Sequence, residues 1–94
     1  MIGRHFAYRV EGVEGYGITD VVGKKDGMLY IIEAKNGNHP KLTNFQNKAF
    51  PKIRDGAKIE FFGPKAVRNG LPTNIPISEY NFEIKRYHQY TYPK

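Results

Sequence analysis

Gly17-Ile18-Thr19-Asp20-Val21-Val22-Gly23-Lys24-Lys25-Asp26-Gly27-Met28-Leu29-Tyr30-Ile31-Ile32-Glu33-Ala34-Lys35 is the stretch on which the reading of this 94-residue chain turns. Asp26-Gly27 separates two apolar runs and tolerates the positive φ that a type I′ turn needs at both central positions, so the stretch reads as a β-hairpin. With those two residues in the turn, Lys25 faces Met28, cross-strand partners sum to 53, and Asp20 faces Glu33. Directly opposed side chains have Cβ atoms roughly 4.5–5.5 Å apart. Lys35 lies two residues beyond Glu33, and the period of two places it on the same face. Met28, Tyr30, Ile32 and Ala34 form the other face, apolar enough to pack on a helix.

Two carboxylates and an amine in an apolar hairpin leave two readings open. A buried carboxylate without a partner costs several kcal/mol, so such charges are paired, neutralised or bound to metal. On the functional reading, one divalent cation bridges Asp20 and Glu33. Mg²⁺, or Mn²⁺ in its place, suits two oxygen ligands with positions left for water and phosphate oxygens. A metal held that way supports phosphodiester hydrolysis, with Lys35 orienting the attacking water or steadying the phosphorane. On the other reading, Glu33 and Lys35 are polar residues on a solvent-facing strand side, and Asp20 is a strand-end residue.

Working outward, Phe6-Ala7-Tyr8-Arg9-Val10 alternates as a first strand, and Gly12, Gly15 and Gly17 punctuate the turn that follows. Thr43-Asn44-Phe45-Gln46 has capping-box form, and Leu42, Phe45, Ala49, Phe50 and Ile53 recur at helical spacing, so a helix starts at Thr43. Pro51 is expected to kink or end it, and Asp55-Gly56 to stop it. Ala57-Lys58-Ile59-Glu60-Phe61-Phe62 reads as the next strand, which a helical connection can place parallel to the second hairpin strand. Residues 63–76 carry Gly63-Pro64, Asn69-Gly70, Pro72 and Pro76 and read as a long loop for a substrate or partner. Tyr80-Asn81-Phe82-Glu83-Ile84-Lys85 alternates as a last strand before an aromatic tail over residues 87–94. The expected fold class is α/β: one domain over residues 1–94, with a small mixed sheet, a central hairpin and one βαβ crossover helix.

Lys plus Arg number 15 against 9 acids, a formal charge of +6 that fits a polyanionic partner or an acidic protein. Lys24, Lys25, Lys41, Lys48 and Lys52 surround the hairpin site in sequence and are expected to contact phosphates, as is His39 in the loop leading to the helix. Gln46 carries two compatible readings, a helix cap and an amide that holds a water or phosphate oxygen at the helix N-terminus. No pair among His5, His39 and His88 has metal-ligand spacing, and Glu11 and Glu14 are weaker candidates for a further ligand. The absence of cysteine excludes disulfides, thiol nucleophiles and zinc–thiolate sites. No apolar run approaches a membrane span, so a soluble domain is expected.

Two apolar residues before Thr19-Asp20, then a hairpin, then Ile31-Ile32-Glu33-Ala34-Lys35, resemble the PD-(D/E)xK, or restriction-endonuclease-like, nuclease superfamily. Thr19 stands where that motif often has Pro. The likeness continues through Asn36-Gly37 and Leu42-Thr43-Asn44-Phe45-Gln46, and covers about residues 17–62. It is nearest to the C-terminal toxin domains of bacterial contact-dependent-inhibition and Rhs polymorphic toxins. Phage-type replication-repair and junction-resolving nucleases carry comparable blocks. The resemblance implies a restriction-endonuclease-like core lacking its usual N-terminal helix, for which Met1 to His5 leave no room. It also implies catalysis by Asp20, Glu33, Lys35 and Gln46, metal held by Asp20 and Glu33, and DNA rather than RNA as the favoured substrate. A toxin of this type acts in the target-cell cytoplasm after secretion and has a cognate immunity protein; otherwise a cytoplasmic nuclease is expected. A homodimer or a bound protein would cover the exposed sheet. From another class, a non-catalytic basic module binding nucleic acid or an acidic protein fits the same composition.

Overall fold

The computed structural model describes residues 1–36 and 43–87, and of residues 34–36 and 86–87 the backbone. Along the chain run β1 (Gly3–Arg4), β2 (Ala7–Val10), β3 (Gly17–Ile18), β4 (Val21–Lys25), β5 (Met28–Asn36), α1 (Asn44–Arg54), β6 (Ile59–Phe62), α2 (Pro64–Arg68) and β7 (Tyr80–Tyr87). They form a mixed α/β unit with a four-stranded sheet ordered β1-β4-β5-β7 and a three-stranded sheet ordered β3-β2-β6.

The hairpin forms as its turn dictates. Asp26 and Gly27 both take positive φ, 53° and 80°. The β4–β5 ladder runs from Lys25↔Met28 to Val21↔Ile32, the expected register. A second ribbon crosses between the sheets. Gly3↔Val22 and Arg4↔Val21 pair in the four-stranded sheet, while Ala7↔Ile18 and Tyr8↔Gly17 pair in the other, with one constant register throughout. The join is made by Phe6 and Thr19. The Thr19 N–H donates to the Phe6 carbonyl at 2.9 Å, and the Phe6 N–H donates to the Thr19 hydroxyl at 3.0 Å. His5 beside them takes φ of 62°, which turns the strand from one sheet into the other. A proline at position 19 would lack the N–H that this join uses.

The core lies between the sheets. Tyr8 and Val10 on β2 and Ile59 and Phe61 on β6 are buried on one side, and Val22, Leu29 and Ile31 on the other. This side of β5 also carries Glu33, and α1 packs over it through Phe50, whose ring centroid lies 5.5 Å from that of Phe82 on β7. The helix therefore lies on the same side of the sheet as Leu29, Ile31 and Glu33. The expected Met28, Tyr30 and Ile32 face looks outward, with Tyr30 36% exposed.

Two connections differ from expectation. The strand after α1 is not the parallel neighbour of β5: β6 pairs antiparallel with β2, from Ala7↔Phe62 to Val10↔Ile59. That register buries Ile59 and Phe61 beside Val10 and Tyr8, joining four apolar side chains on one face. The parallel partner of β5 is β7, from Leu29↔Tyr80 to Asn36↔Tyr87. The crossover between them contains α1, β6 and α2. The 63–76 stretch is no open loop: α2 fills its first part, Ala66 and Leu71 are buried, the bridge Phe61↔Thr73 ties it to β6, and Ile77 just after it bridges Ile59.

The helix begins as its capping box requires, with Thr43 as N-cap and Gln46 completing it. It does not end at Pro51 but continues through it to Arg54, and Gly56 at φ 94° lies just past the end. Proline removes one donor, to the carbonyl of Asn47, and Asn47 is exposed to water that can take its place. The tail residues 88–94, with His88, lie outside the described residues.

Replacing Thr19 by the near-isosteric Val should leave the buried Phe6 N–H without its acceptor and lower stability by about 1–3 kcal/mol. Urea denaturation of the two proteins measures the difference, and an unchanged midpoint would remove the join from the account of the fold.

Candidate functional site

Asp20 lies at the bend just before the residue where two ladders end. It follows Thr19 at the bend and precedes Val21, the first residue of β4. Continuing the ribbon register sets it beside His5, and continuing the hairpin register sets it beside Glu33. Asp20 is half-buried, whereas Glu33 is 2% exposed. Glu33 is buried because it shares the core-facing parity of Leu29 and Ile31.

The charge is met by a tyrosine from the opposite sheet. The Tyr8 hydroxyl of β2 donates to Glu33 Oε1 at 3.4 Å. Its ring is held edge-on by Phe45 of α1, with centroids 5.7 Å apart at 80°, and lies 6.3 Å from Phe82 of β7. Gly17, paired with Tyr8, leaves the space for this stack: a Cβ there would stand 2.8 Å from the Phe45 ring and 3.0 Å from the Tyr8 ring. Burial, followed by the charge of Glu33 and the hydrogen bond to it, raises the Tyr8 pKa far above the usual tyrosine value. Tyr80 and the charge of Asp20 push the same way. Tyr8 is thus a donor throughout the accessible pH range, with both carboxylates acting on it.

Gln46 sits at the third position of α1 and is 7% exposed. Its Oε1 accepts from the Thr43 N–H at 3.0 Å, and its own N–H donates to Thr43 Oγ1 at 3.1 Å. The capping reading is therefore realised, and a role at a phosphate would fall to the amide nitrogen. Phe45, its neighbour in sequence, connects the helix start to Tyr8. Lys35 lies in β5 two positions beyond Glu33, its backbone paired with Arg86 of β7, and its side chain lies outside the described residues.

Among the described residues the basic side chains are spread over separate elements. Lys24 and Lys25 are at the turn end of β4, with Lys24 about 13 Å along the strand from Asp20. Lys48 and Lys52 are exposed on α1, where the Lys52 side chain approaches Gly12. His39 and Lys41 lie outside the described residues. Glu11 is engaged elsewhere, accepting from the Lys58 N–H at 3.3 Å.

Tyr8 is the residue that sequence reasoning passed over. Its signal was present: a tyrosine on the apolar parity of an alternating strand buries its ring and needs a partner for its hydroxyl.

Among the described residues no three His, Asp or Glu side chains gather as a metal-binding group. The fit to a cation therefore rests on two carboxylates, a donor set that suits Mg²⁺ with water in its remaining positions. No protein-family model, curated protein or solved structure matches the chain.

Tyr8 is neutral in the folded protein at pH values where an unfolded tyrosine ionises, so the folded state retains a proton that the unfolded state loses. Stability from this group is level up to a pH of about 10 and falls above it. Tyr8→Phe should flatten that alkaline decline. Denaturant melts at a series of alkaline pH values measure it, and equal slopes in the two proteins would contradict the assignment.

Proposed function

We propose that the chain is a metal-dependent nuclease of the PD-(D/E)xK type, with a restriction-endonuclease-like core, hydrolysing phosphodiester bonds of DNA in preference to RNA. The observation that supports this reading is the hairpin register, which continued by one pair from Val21↔Ile32 sets Asp20 beside Glu33, the carboxylate bonded to the Tyr8 hydroxyl. Two neighbouring carboxylates repel each other, and a divalent cation held by both would relieve the repulsion.

Asp20 and Glu33 are the residues that would hold Mg²⁺ or Mn²⁺. Bound there, the cation would neutralise phosphate charge and lower the pKa of an attacking water. Tyr8 orients the Glu33 carboxylate as outer-shell donors orient metal ligands. Lys35 steadies the charge that builds on the phosphorane as water forms a new P–O bond and the bond to the leaving sugar oxygen breaks. The N-terminus of α1, with Gln46, favours the phosphate through its N–H groups and dipole. The charge of +6 supports binding to a polyanion, with Lys24, Lys25, Lys48 and Lys52 giving salt-dependent contacts, and His39 and Lys41 adding to them.

The motif block from Asp20 to Gln46 supports placing the domain among bacterial toxin effectors that act in a target-cell cytoplasm and are neutralised by an immunity protein. A second reading draws on a separate observation. Glu33 is almost fully buried against Tyr8, as a structural carboxylate would be, and on that reading the chain is a basic binding module.

Incubation with plasmid DNA, total RNA and tRNA, with Mg²⁺ or with EDTA, separates the two. The nuclease reading expects Mg²⁺-dependent cleavage that falls by about a hundredfold or more in Asp20→Asn and in Glu33→Gln, with melting temperatures near that of the wild type. Undiminished cleavage by those variants would refute the site, and binding of nucleic acid without cleavage by the folded wild type would establish the module.

A further inference from the structure

β7 is an edge strand of eight residues, Tyr80–Tyr87, paired without interruption to β5 along one side and to no other strand among the described residues. Edge strands of this length are usually blunted by proline, a bulge or isolated lysines. This one has no proline, and its outward charges are balanced: Glu83 and Lys85, both exposed, lie 3.6 Å apart. On its other face Tyr80, Phe82 and Ile84 line a groove of about 630 Å³ against Phe50 and Ile53 of α1. An open strand edge and an open groove, apolar on its β7 side and edged by Asn47, Arg54 and Ser78, thus coincide at one element.

We propose that β7 pairs antiparallel with β7 of a second copy of this chain, with Ile84 on the two-fold axis. Opposed residues of an antiparallel pair point to the same side. This register sets Glu83 opposite Lys85 of the second copy, and the symmetry repeats the pair on the other side of the axis. Sliding by two residues in either direction, the smallest step that keeps each face, sets Glu83 opposite Glu83 or Lys85 opposite Lys85, so charge selects the register. Ile84 then meets its counterpart beside the two grooves and covers their open edge, and the two four-stranded sheets become one of eight strands. The interface adjoins Glu33, the β5 partner of Ile84, but its argument uses neither carboxylate and stands whether or not the chain cleaves nucleic acid.

Sedimentation and light scattering of the full chain at physiological salt, where the net charge of each copy is screened, test this. The wild type should show twice the 10.8 kDa chain mass. Glu83→Lys and Lys85→Glu each turn two attractive pairs into repulsive ones and should weaken dimerisation by about tenfold. Combining the two substitutions restores opposite charges and should restore the wild-type dissociation constant. Both positions are exposed, and circular dichroism checks that the variants remain folded. A monomer at all concentrations, single variants as tight as the wild type, or a double variant no tighter than the singles would each overturn the proposal.

Discussion

Two hydrogen bonds between Phe6 and Thr19 set the shape of everything around them. An antiparallel ribbon left to itself keeps both strands in one sheet. Here the return bond goes to a side-chain hydroxyl, His5 takes a left-handed conformation, and the ribbon leaves the four-stranded sheet for the three-stranded one. That change of direction delivers Tyr8, two residues past Phe6, over the face of β5. It also leaves Asp20, the residue after Thr19, just before Val21, where the pairs with β1 and with β5 both end.

What is delivered has to accommodate a charge. Glu33 belongs by parity to a row of buried aliphatic side chains, and a carboxylate in that row is tolerable only with donors nearby. The Tyr8 hydroxyl is one, and the ring that carries it is fixed by Phe45 and Phe82 from two other elements. The same tyrosine therefore joins the two sheets and the start of α1. Gly17 is part of the arrangement, since a larger residue there would displace both rings.

The features legible in the sequence were those decided within a few residues. Asp26-Gly27 fixes its own turn and so the Asp20-to-Glu33 register, and Thr43 to Gln46 fixes the helix start. The side of the hairpin that faces the core was not legible, because Met28 to Ile32 is apolar on both parities and alternation carries no information there. The partner of β6 depended on matching Ile59 and Phe61 to Tyr8 and Val10 across some fifty residues, which no local pattern records. The pairing of Tyr8 with Glu33 is long-range in the same sense. The distance of Lys24 and Lys25 from the carboxylates, at the far end of β4, follows from the length of that strand.

The parallel pair β5–β7 joins Leu29 to Tyr80 and holds its register over eight residue pairs. Its closure must therefore wait until α1, β6 and α2 have been ordered or at least gathered, whereas the Asp26-Gly27 hairpin can close on its own. The order of assembly this implies is local first and C-terminal last: until β7 arrives, β5 presents an unpaired edge with apolar residues on both faces. During that interval the chain is most open to pairing with the wrong strand. Rapid docking of its final strand would then matter as much to the yield of folded protein as the strength of any contact in the finished core.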